Sequence, residues 1–331
     1  MRHLKWGLMG AGRIAGSFAR GLARTEHATA LAIGSRSLEK AQRFAEEHGI
    51  ERAYGSYEDL LSDPDVDAVY IALPNHLHAE WSIKSAQAGK HILCEKPVTL
   101  NAAELEDVLA VVKASDVFFM EAFMYRCHPQ LQRLREILNS GVIGEVRVIY
   151  STFSFNMGPA YDNVRMVNYM GGGGLMDVGC YCVSLSRWIV QEEPVACRAV
   201  AHIGPRSRVD EYMAGALKFP GGALAYFTSG LQCSVPTTAA IYGSEGSIAI
   251  PRPWGSREGP ATLTVTTGHE TRTYEVCFDL DAYEAEALHV AEHLDARQAP
   301  AMTWDDSRGQ MRALDALRAD MGLVFDGEKG A

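Results

Sequence analysis

The chain has 331 residues, 47% of them apolar and 22% charged, with a formal net charge of −10. This is a globular composition of about two domains, and its negative balance argues against a nucleic-acid surface or attraction to anionic lipid. The opening MRHLKWGLMGAG lacks a long apolar core and a cleavage site. No window approaches the ~20 apolar residues of a membrane span, and seven scattered cysteines without a Cys-x-x-Cys spacing read as reduced thiols; together these predict a cytoplasmic protein.

The first part of the chain alternates strand and helix signals. LKWGLMG is a short apolar run into glycine, RIAGSFARGLARTE has helical spacing, ATALAIGS is a strand, and LEKAQRFAEEHG is a helix stopped at Gly49. YEDLLSDP is a short helix, VDAVYIALP a buried strand, AEWSIKSAQAGK a helix and HILCEKP a strand again; AAELEDVLAVVKAS and VFFMEAFM continue the alternation. Strand and helix in turn predict β-α-β units in a doubly wound parallel sheet. After a helix around HPQLQRLREILNSG, strand-like runs dominate: EVRVIYSTFSF, ACRAVAHIG, YMAGALKFPGG, LAYFTSGLQ, TAAIYGSEGSIAIP, TLTVTTG and TRTYEVCF, with FPGG and GSEGS as turns. YEAEALHVAEHLDAR and TWDDSRGQMRALDALRADMG close the chain as helices. The reading is α/β: a Rossmann domain over 1–122, then an α+β domain over 123–331 with an open, mostly antiparallel sheet, used for substrate and for oligomerisation.

GAGRIA is a G-x-G-x-x-A fingerprint at Gly10, Gly12 and Ala15, placed after a strand and opening a helix, as dinucleotide binding requires. Gly10 permits the tight turn and Gly12 the close approach of a pyrophosphate, which meets the helix N-terminus beside Arg13 and Ile14. The second strand ends in Ser35, Arg36 and Ser37, without the carboxylate that would hold a ribose 2′-hydroxyl. A planar guanidinium suits a 2′-phosphate, so the cofactor expected is NADP rather than NAD. Leu73, Pro74 and Asn75 end the next strand beside the same crevice.

The strand ILC stops at Glu95, Lys96 and Pro97. Hydride transfer from a carbinol needs a group that takes the hydroxyl proton. GGGGLMDVGCYC offers Asp177 and Tyr181, four residues apart and on one face of a helix. A tyrosine is too weakly acidic to be a base at neutral pH unless a cation such as Lys96 stabilises its phenolate. Lys96 and Tyr181 therefore make a proton-handling pair, with Asp177 orienting substrate hydroxyls.

The glycine fingerprint, GKHILCEKP and GGGGLMDVGCYC together resemble the glucose–fructose oxidoreductase/inositol dehydrogenase (Gfo/Idh/MocA) family, over nearly the whole chain down to MTWDDSRGQMRALDAL. The resemblance implies that Lys96 is catalytic, that Asp177 is the carboxylate of the D-x-G motif, and that the Lys96–Pro97 bond is cis. Tyr181 stands where many members have histidine. This resembles the branch with dimeric dihydrodiol dehydrogenase and NADP-dependent xylose dehydrogenases, and points away from inositol. The implied activity is an NADP-dependent oxidoreductase on CH–OH groups of a sugar or cyclic polyol. A trans-dihydrodiol dehydrogenase and a non-catalytic NADP sensor are the alternatives, and a protein-interaction module on the open sheet is a third class. Family members pair their open sheets, so a homodimer or a dimer of dimers is expected.

Other residues carry two readings. Arg126 and His128 fall where the family's second domain begins, near the active-site mouth. Arg165 and Asn168 precede the glycine run, and Tyr161 and Asp162 lie just upstream; each faces either substrate or solvent. His76 and His78 form an H-x-H pair without further spaced ligands, so no metal is expected, and His78 either borders the nicotinamide or packs locally.

Overall fold

A computed structural model describes residues 2–255 and 260–328. They fall into two compact units, Met1–Cys127 with Leu280–Arg308, and His128–Asp279 with Gly309–Ala331. Against the single boundary at 122/123 suggested by the sequence, the chain thus passes between units at 127/128, 279/280 and 308/309. No helix among the described residues is long and apolar enough to cross a membrane, and no disulfide joins the seven cysteines.

The first unit holds strands β1 (Leu4–Met9), β2 (Ala28–Gly34), β3 (Arg52–Tyr54), β4 (Ala68–Ile71), β5 (His91–Glu95) and β6 (Phe119–Ala122) in one parallel sheet, ordered β3-β2-β1-β4-β5-β6. Its helices are α1 (Arg13–Leu22), α2 (Leu38–His48), α3 (Tyr57–Ser62), α4 (His78–Gln87) and α5 (Ala102–Ala114). Local chemistry sets their ends. Ser37, Ser56 and Asn101 accept first-turn N–H groups of α2, α3 and α5, and Gly49 ends α2 in the left-handed region, where the sequence places the stop. The strand order reverses between β1 and β4, the place where doubly wound sheets open a crevice at the carboxyl ends of their strands.

The three residues of β3 are half-buried and carry no apolar alternation, so periodicity gives no sign of them. They are held by pairing with β2 and by Arg52, whose guanidinium bonds both oxygens of Asp63 at 2.9 Å. The segment from 280 belongs here because α8 (Ala282–His293) packs on α1. A Cβ on Gly21 of α1 would come within 2.8 Å of the Glu284 N, so only glycine allows this approach. α8 starts with a capping box of Asp281 and Glu284. In the core, Phe18 of α1 stacks on Tyr70 at 4.0 Å and meets Trp6 edge-on at 5.1 Å.

The second unit begins with α6 (Pro129–Asn139), capped by the ring of His128, which accepts the Gln130 N–H at 3.0 Å. Its eight strands are β7 (Val146–Ser154), β8 (Ala196–Ile203), β9 (Asp210–Lys218), β10 (Leu224–Gly230), β11 (Thr238–Gly243), β12 (Gly246–Ile250), β13 (Ala261–Thr267) and β14 (Glu270–Val276), in the order β14-β13-β12-β11-β7-β10-β9-β8. Every pairing is antiparallel except β7 with β10. Between β7 and β8 lies α7 (Cys180–Val190), entered through a π-helical turn, Leu175–Gly179. The last helix, α9 (Trp304–Asp320), contributes to this unit from Gly309 onward. One sheet face carries the unit's core, with Ile149, Phe227, Ile241 and Ile248 all buried.

Candidate active site

At the start of α1, Gly10 adopts φ +97°, and a Cβ there would meet the Ala72 carbonyl at 2.7 Å. Gly12 is the N-cap of α1 and supplies no side-chain acceptor, so no N-cap side chain takes up the first N–H groups of the helix. A Cβ on Gly12 would meet nothing within 4 Å. Open space at Gly12, beside a helix start without a side-chain cap and at the positive end of the helix dipole, fits a pyrophosphate. Arg13 and Gly12 are exposed and Ile14 half-buried at this mouth.

Arg36 is exposed at the end of β2 and lies beside the Tyr57 hydroxyl, whose pKa burial raises and Arg36 lowers. Ser37 already accepts the Lys40 N–H to cap α2, and the buried Ser35 accepts the Ser37 N–H at 3.4 Å. Both hydroxyls keep a proton to donate. Leu73 is buried, and Pro74 and Asn75 are half-buried in the turn after β4.

Three side chains hold the loop after β5. His78 shows no exposed surface; Nδ1 lies 2.8 Å from the Pro97 carbonyl and Nε2 2.8 Å from the Leu73 carbonyl. Burial pulls its pKa down to about 4, so the ring is neutral at physiological pH. His78 therefore ties two loops from behind and has no face to offer a nicotinamide. His76 sits in a turn and His78 begins α4, so the two do not share a strand face. Glu121 of β6, fully buried, accepts the Val98 N–H at 3.1 Å and the Ser307 hydroxyl at 2.9 Å. Glu95 accepts the Tyr70 hydroxyl on one oxygen and the Lys96 N–H at 3.2 Å on the other. Lys96 is half-buried at the strand's carboxyl end, and its bond to Pro97 is cis, as the resemblance implies. Arg126 is buried, and its guanidinium donates to Asp306 at 3.3 Å within the first unit.

α8 carries a metal-type cluster that the sequence reading passed over: His289, Glu292 and His293 place ligand atoms within 4.8 Å of one another. His289 Nε2 already accepts the Ala301 N–H at 3.3 Å.

In the second unit, Asp177 lies in the π turn and Tyr181 in the first turn of α7. Arg165 Nε donates to Asp177 Oδ2 at 2.8 Å, so the charge of this arginine is directed at the carboxylate. Tyr181 is buried in an aromatic triangle, 5.3 Å from Phe153 and 5.5 Å from Trp254, whose rings stack on each other at 5.6 Å. The sequence reading named neither Phe153 nor Trp254. Periodicity marks Phe153 only as a strand residue, and Trp254 sits in a loop without a pattern. Tyr161 packs on Met166, Val178 and Leu231, with the Arg206 guanidinium over its ring at 4.4 Å, while Asp162 is exposed.

Asn168 is a correction. Its amide donates to the carbonyls of Arg208 at 2.8 Å and Val324 at 3.0 Å, and its oxygen accepts the Asp326 N–H at 2.7 Å. Both amide protons are committed to the chain's C-terminal segment, so Asn168 is a structural clamp and not a substrate contact.

Comparison with known proteins decides the family. Residues 4–123 match the oxidoreductase family with an NAD-binding Rossmann fold, GFO/IDH/MocA, and residues 131–249 match the GFO/IDH/MocA C-terminal domain. The chain belongs to the GFO/IDH/MocA oxidoreductases. It is 32% identical to trans-1,2-dihydrobenzene-1,2-diol dehydrogenase of Xenopus tropicalis, over 97% of this chain and 99% of the relative. It is 36% identical to D-xylose 1-dehydrogenase (NADP(+)) 2 of Haloferax volcanii, over 88% of this chain and 89% of the relative. Among solved structures it resembles KijD10, a 3-ketoreductase from Actinomadura kijaniata crystallised with NADP and TDP-benzene, with a TM-score of 0.89, 28% identity and coverage of 97% and 98% of the two chains. As in the GFO/IDH/MocA description, the fingerprint glycines of this chain belong to a Rossmann cradle.

Proposed function

We propose that this GFO/IDH/MocA protein is an NADP-dependent dehydrogenase or reductase acting on a carbinol or carbonyl of a sugar or related cyclic polyol. The observation that carries the reading is the pair Asp177 and Tyr181 on neighbouring turns, the carboxylate held by Arg165 and the phenol enclosed by aromatic rings. The Haloferax relative's NADP dependence and the NADP bound to the ketoreductase support the cofactor, as does Arg36 in place of an acidic residue.

Bound NADP supplies the hydride acceptor, or in reduced form the donor. In the oxidative direction the Tyr181 phenolate takes the hydroxyl proton as the carbinol C–H electrons leave as hydride. A cation beside it, the role the sequence suggests for Lys96, would stabilise such a phenolate, and Asp177 would accept hydrogen bonds from neighbouring substrate hydroxyls. In reduction the same groups run in reverse, with Tyr181 returning a proton to the alkoxide.

An NADP-coupled absorbance screen across aldoses, ketosugars and trans-dihydrodiols tests this. Turnover of a sugar, lost in Tyr181→Phe, supports it; folded, NADP-binding protein that turns over none of these classes overturns it. Turnover confined to trans-dihydrodiols favours the second reading, which the end-to-end likeness to the frog enzyme supports. NADP binding without turnover of any class leaves a sensor.

The same reading includes a homodimer formed through the second unit's sheet. Cross-strand partners put Val200, Tyr212, Leu224, Tyr226 and Tyr242 on the face opposite the core, all exposed. A patch of this kind asks for a cover, and a second copy of the sheet supplies one. Sedimentation giving a monomer at micromolar concentration rejects it.

A further inference from the structure

Asp210 opens β9 with a fully buried carboxyl that the chemistry above does not use. Its Oδ2 accepts the N–H of Leu175, the first residue of the π turn, at 2.6 Å. Its Oδ1 has no hydrogen-bond partner and lies against Gly173, where a Cβ would come within 2.1 Å of it and where φ is +113°. A Cβ on Gly174 would lie 3.3 Å from Oδ2. The glycines at 173 and 174 thus make room for this one carboxylate. Beyond it the bonds run in a closed circuit: the Asp177 N–H donates to the Gly173 carbonyl at 3.0 Å, the Gly173 N–H to the Arg165 carbonyl at 2.8 Å, and Arg165 Nε to the Asp177 carboxylate.

We propose that Asp210 is a positioning residue whose buried carboxylate fixes the start of the helix, and with it the directions of Asp177 and Tyr181. The proposal rests on the roles given to those two residues under the proposed function. An unpaired helix start is satisfied by an acceptor, and a negative one is favoured there. A neutral amide would also fill the space, with a weaker hold than a charge-assisted bond.

The hold is sensitive to pH. Burial raises the Asp210 carboxyl to about 7, against the lowering effect of the Leu175 and Gly174 N–H groups, its own N–H, and Arg318 of α9. Arg318 is itself paired with Asp315 and Glu328. The π turn brings backbone groups to Asp210, β8 sets the uncharged Ile203 opposite it, and β10 borders the turn with Ser229 and Gly230. Above neutral pH the carboxylate grips the turn; below it, the protonated acid accepts more weakly.

Hydrogen exchange of segment 171–182 and steady-state turnover, each followed from about pH 5.5 to 9, test this in wild type, Asp210→Asn and Asp210→Ala. In wild type, exchange corrected for its intrinsic pH dependence slows as pH passes about 7. Asp210→Asn abolishes that step and lowers kcat about tenfold with little change in KM, the size of one hydrogen bond. Asp210→Ala exchanges faster than Asp210→Asn across the range; where the alanine variant fails to fold, the asparagine variant carries the test. Unchanged protection and kcat in Asp210→Asn overturn the proposal, as does a wild-type profile without a step that Asp210→Asn lacks. The exchange arm needs no substrate. A clear exchange step in a protein that turns over nothing would count against the proposed function and leave the clamp standing.

Discussion

The loop after β5 follows Lys96 and the glycine run before α7 leads to Asp177 and Tyr181, and the two stretches are held in different ways. Around Lys96 the backbone is tied from several directions. Tyr70 of β4 bonds Glu95, His78 of α4 reaches the Pro97 carbonyl, and Glu121 of β6 takes the Val98 N–H. Ahead of Asp177 four consecutive residues have no side chain, and the side-chain bonds to this stretch include those of Asp210 and Arg165. Side chains packed on a loop over-determine its geometry, whereas a run of glycines leaves more of it to the backbone and to each remaining bond.

The buried acids of the two units differ in the same sense. Glu286 of α8 is fully buried with neither oxygen hydrogen-bonded among the described residues, and burial together with the Glu95 charge pushes its pKa well up. Asp210 has N–H donors and reaches only about 7. Donors to a buried carboxylate offset part of the cost of burying its charge, and Glu286 lacks that offset.

The largest expected effect tests whether the two loops serve one reaction. Tyr181→Phe and Lys96→Met should each lower kcat about 10²–10⁴-fold, as loss of a proton-transfer group does, with NADPH binding by fluorescence little changed. Wild-type kcat in either variant would separate that loop from the chemistry. Next, Gly173→Ala forces a side chain into φ +113° and onto Asp210, at a cost of about 2–4 kcal/mol in a thermal or urea melt. Glu121→Gln, which keeps its volume and one acceptor, should cost less, about 1–2 kcal/mol. Equal losses would show that the Lys96 loop is no better supported than the glycine run.

Arg36→Ala should weaken NADP by about 1.5–3 kcal/mol and leave NAD nearly unaffected; equal loss of both cofactors in a binding titration would mean that Arg36 does not read the 2′-phosphate. The smallest effect is that of Glu286→Gln at pH 5, under about 1 kcal/mol. The folded state holds the Glu286 proton more tightly than the unfolded chain does, so this residue lowers wild-type stability as pH climbs from the unfolded carboxyl pKa toward the folded one. Glu286→Gln lacks that loss, and its melts should gain on wild type with rising pH. Parallel pH profiles would show that the acid ionises in place.

Much of the molecule follows from local sequence. The alternation of strands and helices, the Gly10–Gly12 turn, the stop at Gly49 and the placing of Asp177 and Tyr181 on adjacent turns all depend on residues within a few positions of each other, where periodicity and backbone preference act directly. The tertiary structure decided the rest. β3 exists because β2 and Asp63 receive it, and residues 280–308 return to the first unit because Gly21 lets α8 close on α1. Asn168 is spent on carbonyls up to 156 residues away. Glu121, Trp254 and Asp210 gain their meaning from partners that no spacing announces. A sequence pattern reports which face of an element is buried; which hydrogen-bond donor or ring lies against that face is set only when distant segments meet, because a buried polar group must find its partner wherever the fold brings one.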